Sequence, residues 1–181
     1  MSTLQSSISS TRTHYGDSFR HPQLNGNELA EGCKLGIDLY ADTSCSGKYA
    51  YVEEFIEGKQ ITATSFSSSL GTMKGLPMAN VTFAYDMNDG STILLEHNNT
   101  IYLGNKMEDC LANPIQCEEN GVKIDIRPKS YYPNETTAQT LHLADGIVLP
   151  LQYNGVLPFL PVRRPTNDEL EDCNKRTDVQ I

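Results

Sequence analysis

The chain has 181 residues and a formal charge of −9 at neutral pH, from 23 acidic side chains against 14 basic ones. That length suits one domain plus tails and leaves little for a second core. Lys and Arg nowhere cluster beyond a pair such as Arg163 and Arg164, so the basic footprint of a phosphate-backbone binder is missing and no direct nucleic-acid partner is expected.

The opening stretch MSTLQSSISSTRTHYGD lacks the apolar run of a leader peptide, and no apolar window reaches the ~20 residues that cross a bilayer. The expectation is an intracellular, cytoplasmic protein with no membrane partner. Residues 1–32 are rich in Ser, Thr, Asn, Gln and Gly, a composition that suits a disordered or mobile arm. The domain is expected over residues 33–164, where short apolar runs are broken by Gly, Pro, Asn and Asp in a β-rich pattern.

In chain order the expected strands are KLGIDLY, YAYVEEF, QITATSF, NVTFAYDM, STILLEH, TIYLG, VKIDI, TLHLAD, IVLPLQY and VLPFLPV. NVTFAYDM and STILLEH are joined by NDG, whose residues tolerate positive φ and suit a hairpin. The segment MEDCLANPIQCEENG is the one expected helix of the domain, with Pro114 near its first turn and Gly121 as a left-handed cap. RPKSYYPNE reads as a loop. In the tail, residues 165–181, Thr166 and Glu169 have capping-box spacing and predict a short helix before the chain frays.

Five cysteines, Cys33, Cys45, Cys110, Cys117 and Cys173, are an odd number without paired zinc-site spacing, so free thiols are expected. Cys110 and Cys117, seven apart, fall on one face of the expected helix. His14, His21, His97 and His142 stand singly. Neither a metal nor a cofactor is expected, and the sequons at Asn80, Asn98 and Asn134 carry little weight alone.

Carboxylates remain. In KLGIDLYADTSCSGK an apolar run delivers Asp38 at a strand end, where a rigid element can hold a reacting group, although Asp in that place is also an ordinary turn former. The segment GIDLYADTSCSGK resembles ELDSHADTCVAG of the retropepsin-like aspartic protease domains in copia-type LTR retrotransposon polyproteins. The likeness continues through LGTMKGLPMANVTFAYDMNDGSTILLEHNNTIYLGNKMEDCLANPIQCEENGV and ends in LPFLPVRRPTNDELEDC, similar to the family's closing R-PT-EEL--C. It spans about residues 36–173.

The resemblance implies a mainly all-β fold, a closed or partly open retropepsin-like β-barrel with one short helix. Asp38 takes the catalytic position, preferred over Asp42 because it matches the family aspartate. Leu39, Tyr40, Ala41, Asp42 and Thr43 form the active-site loop. Gly71, Thr72, Met73, Lys74 and Gly75 fall in the flap, a glycine-containing loop over residues 65–78. Leu111, Ala112 and Asn113 brace the active-site loop. One aspartate per chain implies a homodimer acting on a peptide or polyprotein substrate, with two carboxylates sharing a proton and activating water.

The chain departs from the pattern at three places. Leu39 stands where the family has a hydroxyl residue, Tyr40 where proteases have Gly, and Ala112 where the brace has Gly. A non-catalytic β-rich module that binds an extended peptide by strand addition, or dimerises, is therefore the alternative, and a decayed polyprotein fragment is a third.

Overall fold

A computed structural model describes residues 32–39, 41–65, 71–131, 134, 139–143, 146–172 and 176–180. Residues 1–31 of the expected arm, Tyr40, flap residues 66–70 and Cys173 lie outside the described residues. The described chain is mainly β. Its strands are β1 (Gly32–Ile37), β2 (Cys45–Gly47), β3 (Tyr51–Thr64), β4 (Thr72–Asp86), β5 (Thr92–Gly104) and β6 (Cys110–Ala112), followed by helix α1 (Pro114–Glu119). Then come β7 (Lys123–Asp125), β8 (Thr140–His142), β9 (Val148–Pro150), β10 (Gln152–Asn154), β11 (Leu157–Arg163), helix α2 (Asn167–Glu171) and β12 (Arg176–Gln180). No helix among the described residues is long and apolar enough to cross a membrane.

Period-two alternation sets the inner face. Along β1, Cys33, Leu35 and Ile37 are buried while Gly32 and Lys34 are exposed. β11 answers antiparallel with Pro158, Leu160 and Val162 buried, and Leu35 lies opposite Leu160. Cys33, Leu35, Ile37, Leu160 and Val162 join Phe83 of β4, Leu95 and Tyr102 of β5, and Leu141 and Leu149 of β8 and β9 in one apolar core. Each such burial is worth ~1.5–3 kcal/mol. The smaller sheet, β7-β8-β9, shares that core with the large one.

The large sheet runs β10-β11-β1-β6-β2-β5-β4-β3, with β12 parallel to β5. β11 also pairs with β4 at Arg163 and Ala84, so hydrogen-bonded neighbours form a circuit from β11 through β1, β6, β2, β5 and β4 back to β11. The seam is tied by charge. Arg163 grips Asp86 of β4 through Nε (2.9 Å) and Nη2 (2.7 Å), and Glu169 of α2 through Nη1 (2.8 Å) and Nη2 (2.7 Å).

Several expected elements merge or move. YAYVEEF and QITATSF are one strand, β3, whose break is a local irregularity at Gly58 with φ +74°. STILLEH and TIYLG are likewise one strand, carried through Asn99 at φ 55°. IVLPLQY instead divides at Leu151 into β9 and β10, which belong to different sheets. The NDG turn forms as expected, with Gly90 at φ +85° and Met87 N–H bonded to Ser91 O at 2.8 Å.

The expected helix over MEDCLANPIQCEENG is shorter, because Cys110–Ala112 is strand β6 and the helix starts only at Pro114. Proline lacks an N–H and its ring restricts the residue before it to extended backbone, so Asn113 becomes the cap and the helix cannot begin earlier. Cys110 and Cys117 therefore do not share a helix face. At the other end Gly121 (φ +85°) closes α1, with its N–H bonded to Glu118 O and that of Val122 to Cys117 O, both 3.0 Å. The single short helix is joined by a second, α2, which carries the expected capping box of Thr166 and Glu169. Where a frayed tail was expected, residues 176–180 form β12.

Candidate functional site

β6 lies between β1 and β2, parallel to the first and antiparallel to the second. Residues 38–44 leave the end of β1 and return as β2 on the far side of β6, so this three-residue strand passes between the two limbs of the loop. Asp38 stands at the top of β1, half-buried, and its N–H continues the ladder to Ala112 O at 3.1 Å. Its own carbonyl accepts from Ala41 N–H at 3.4 Å, which turns the chain tightly. Leu39 is 59% exposed at that turn and Asp42 is exposed, whereas Ala41 and Thr43 are half-buried.

The brace residues meet the loop directly. Leu111 pairs with Gly36 on one side and Cys45 on the other, and Ala112 with Ile37. Asn113 Nδ2 donates to Ala41 O, while its Oδ1 caps α1 by accepting Gln116 N–H at 3.0 Å. Two residues that sequence reading missed complete the tie. Fully buried Ser44 donates to Gln116 Oε1 through both its N–H (3.2 Å) and its hydroxyl (3.0 Å), and its Oγ accepts Asn113 N–H at 3.0 Å. Gln116 Nε2 then donates to Asn98 O of β5 at 3.3 Å. Gln116 stands at the third helical position, where a glutamine ordinarily folds back to the cap, but here its side chain reaches Ser44 and Asn98 instead, so local spacing gave no sign of the tie.

No protein-family model, curated protein or solved structure matches this chain. Its chemistry must be read from its own residues.

The expected flap residues lie on the β3–β4 hairpin, but Thr72, Met73, Lys74 and Gly75 belong to strand β4 rather than to a loop. Thr72 pairs with Thr64 and Met73 with Ala63, while Gly71 (φ +81°) ends the connecting segment. The positive-φ glycines that suggested a loop instead mark the turn and an irregularity within the ladder, Gly75 having φ +68°. All five residues are exposed. Farther down, Ile61, Ala63 and Leu76 of the hairpin pack with Ile101, Leu103, Met107 and Cys45, forming a second small apolar cluster. The hairpin thus packs on Ile101 and Leu103 of β5 and reaches Cys45 of β2, the strand that continues the Asp38 loop.

An open cavity of ≈350 Å³ lies on the β3-β4-β5 face, lined by Glu53, Glu54, Asn80, Val81, Glu96 and Asn98. Its polar wall is internally bonded: Thr82 donates to Glu53 at 2.9 Å and Asn80 to Glu54 at 2.7 Å. Among the described residues no group of three His, Cys, Asp or Glu is disposed to hold a metal ion. The four described cysteines are free. A hydrogen bond with Cys110, then burial, raises the Cys33 thiol far above its ordinary range, and burial pushes Cys45 up to about 11 and Cys117 up to about 12. Thiols held neutral in this way are poor nucleophiles. His97 is wholly buried, neither ring nitrogen has a hydrogen-bond partner, and burial pushes it down to about 4.

Proposed function

We propose that this chain is a retropepsin-like domain whose Asp38 pairs with the Asp38 of a second copy to hydrolyse peptides, with the large sheet acting as a partly open β-barrel. One observation carries the reading: the threading of β6 between the limbs of the Asp38 loop, which brings Leu111, Ala112 and Asn113 against residues 38–45. That is the placement the family resemblance assigns to the loop brace. The reading is supported by the backbone of Asp38, which is hydrogen-bonded through its N–H to Ala112 O and through its carbonyl to Ala41 N–H at the end of a strand, a rigid place from which a carboxylate can serve general acid–base chemistry.

A single chain offers one such carboxylate, so the reaction needs a two-fold partner. Two carboxylates brought together share a proton; the ionised one takes a proton from water and the protonated one donates to the scissile carbonyl. Exposed apolar side chains, Leu39 on the loop and Ile115 at the start of α1 (61% exposed), suit burial against a second copy. The β3–β4 hairpin would be the flap.

Leu39 favours a second reading. It brings no hydroxyl to tie two loops across a dimer axis, and an apolar residue there serves a dimerising or peptide-binding module equally well. Cleavage of a diverse peptide mixture between about pH 4.5 and 7, by the wild type and by Asp38→Asn, separates the two readings when each protein is also weighed by sedimentation. Cleavage by the dimeric wild type alone supports the peptidase. A folded dimer that cleaves nothing supports the binding module, and a folded monomer overturns the paired-aspartate mechanism.

A further inference from the structure

We infer that Gln116, acting through Ser44, is the positioning residue that sets the conformation of the Asp38 loop. The inference deepens the peptidase reading and rests on it for its catalytic consequence. Gln116 lies on α1, outside the loop and outside β6, and touches neither Asp38 nor the expected flap through any of its hydrogen bonds.

Its side-chain amide is the hub of a directional chain. Oε1 can only accept, and it takes both donors of Ser44. With its proton committed to Gln116, the Ser44 hydroxyl turns a lone pair to Asn113 N–H. Asn113 then sends Nδ2 to Ala41 O, and Ala41 N–H closes the turn on Asp38 O. At the far end Nε2 donates to Asn98 O, which fixes the amide's orientation, since reversing it would set N–H against N–H at Ser44 and oxygen against oxygen at Asn98. Ser44 is fully buried, so losing a partner there leaves a polar group out of reach of bulk solvent. The Ser44 carbonyl also accepts Ile101 N–H at 2.9 Å, so the loop's return limb is referenced to β5 by the same residue.

The test compares wild type, Gln116→Met and Gln116→Glu by amide hydrogen exchange and by peptide cleavage. Gln116→Met keeps the length of the side chain and removes the hub. It should speed exchange at Asp38, Ser44 and Asn113 by ~10-fold or more while Phe83 of β4 keeps its protection, and it should lower kcat by ~10-fold or more with KM within about a factor of two. Gln116→Glu keeps the acceptor but, when ionised, cannot donate to Asn98 O. Its loop exchange, corrected for the intrinsic pH dependence, should approach the wild-type value as pH falls and the carboxyl regains a proton; this variant also stands in if Gln116→Met fails to fold.

Unchanged exchange at the three loop amides in a folded variant overturns the inference. Faster loop exchange with unaltered kcat overturns its catalytic consequence. If the wild type cleaves nothing, the peptidase reading fails by itself, and the exchange comparison still decides whether Gln116 positions the loop.

Discussion

Replacing His97 with leucine should remove an acid sensitivity built into the core. His97 sits on β5 opposite Val81 of β4, wholly buried, with two ring nitrogens that bond to nothing. Burial moves its proton affinity from the ordinary 6.5 down to about 4. The unfolded chain therefore binds a proton near pH 6.5 that the folded chain refuses until about pH 4. Stability is whole above the upper value and is lost as pH falls through the window between them. At ~1.4 kcal/mol per pH unit, a gap from 6.5 to about 4 corresponds to about 3 kcal/mol. Urea unfolding of wild type and His97→Leu across that window isolates the effect, because other titrating groups are common to both proteins. The wild type should lose ~3 kcal/mol more than the variant between about pH 7.5 and 4, and the variant should match or exceed it at neutral pH, being rid of two unsatisfied polar atoms. Parallel stability–pH curves, or an imidazole resonance that titrates near its ordinary value, would refute the reasoning.

Four further outcomes follow from particular contacts. Arg163→Ala should cost about 2–3 kcal/mol in urea unfolding, because Glu169, only 12% exposed in its side chain, loses its fork; Arg163→Lys should restore little of it. The same pair gives an acid signature: the Arg163 guanidinium holds the Glu169 carboxyl down at about 2, so its stabilisation is whole above 4.5 and lost as pH falls toward 2, and Glu169→Gln should flatten stability in that range. Gly47→Ala should destabilise by ~2–4 kcal/mol in thermal unfolding, since a Cβ there would lie 2.2 Å from Met107 O and 2.8 Å from Asp109 O, both backbone atoms. Thr166→Ala should cost ~1 kcal/mol through loss of the α2 cap, which urea unfolding can resolve.

Features encoded within a few residues were legible in the sequence. Thr166 with Glu169, Gly121 as a helix stop and the NDG turn each declare themselves locally, and each took the expected form. Features that depend on pairing were not. Gly58 and Asn99 look like strand breaks because positive-φ residues punctuate turns and bulges alike, and only the partner strand distinguishes the two. Cys110, Leu111 and Ala112 read as helix because three apolar residues have no period of their own; their extended form comes from β1 and β2 on either side. In the candidate site, Asp38 and the brace were visible as a pattern. The bond between Ser44 and Gln116 joins residues 72 apart, and no local spacing announces it.

The long reach of β1 bears on how the molecule is made. Its first partner along the chain, β6, emerges from the ribosome only after some seventy residues, and its other partner, β11, pairs across roughly 130 residues. A nascent chain therefore carries Cys33, Leu35 and Ile37 without their β11 partners until residues 157–163 are made. Contacts this distant in sequence slow folding and postpone it until β11 has been made. A ribosome-bound chain ending before Leu157 would hold the Asp38 loop with one flank of its strand bare, an unpaired edge open to association with other chains.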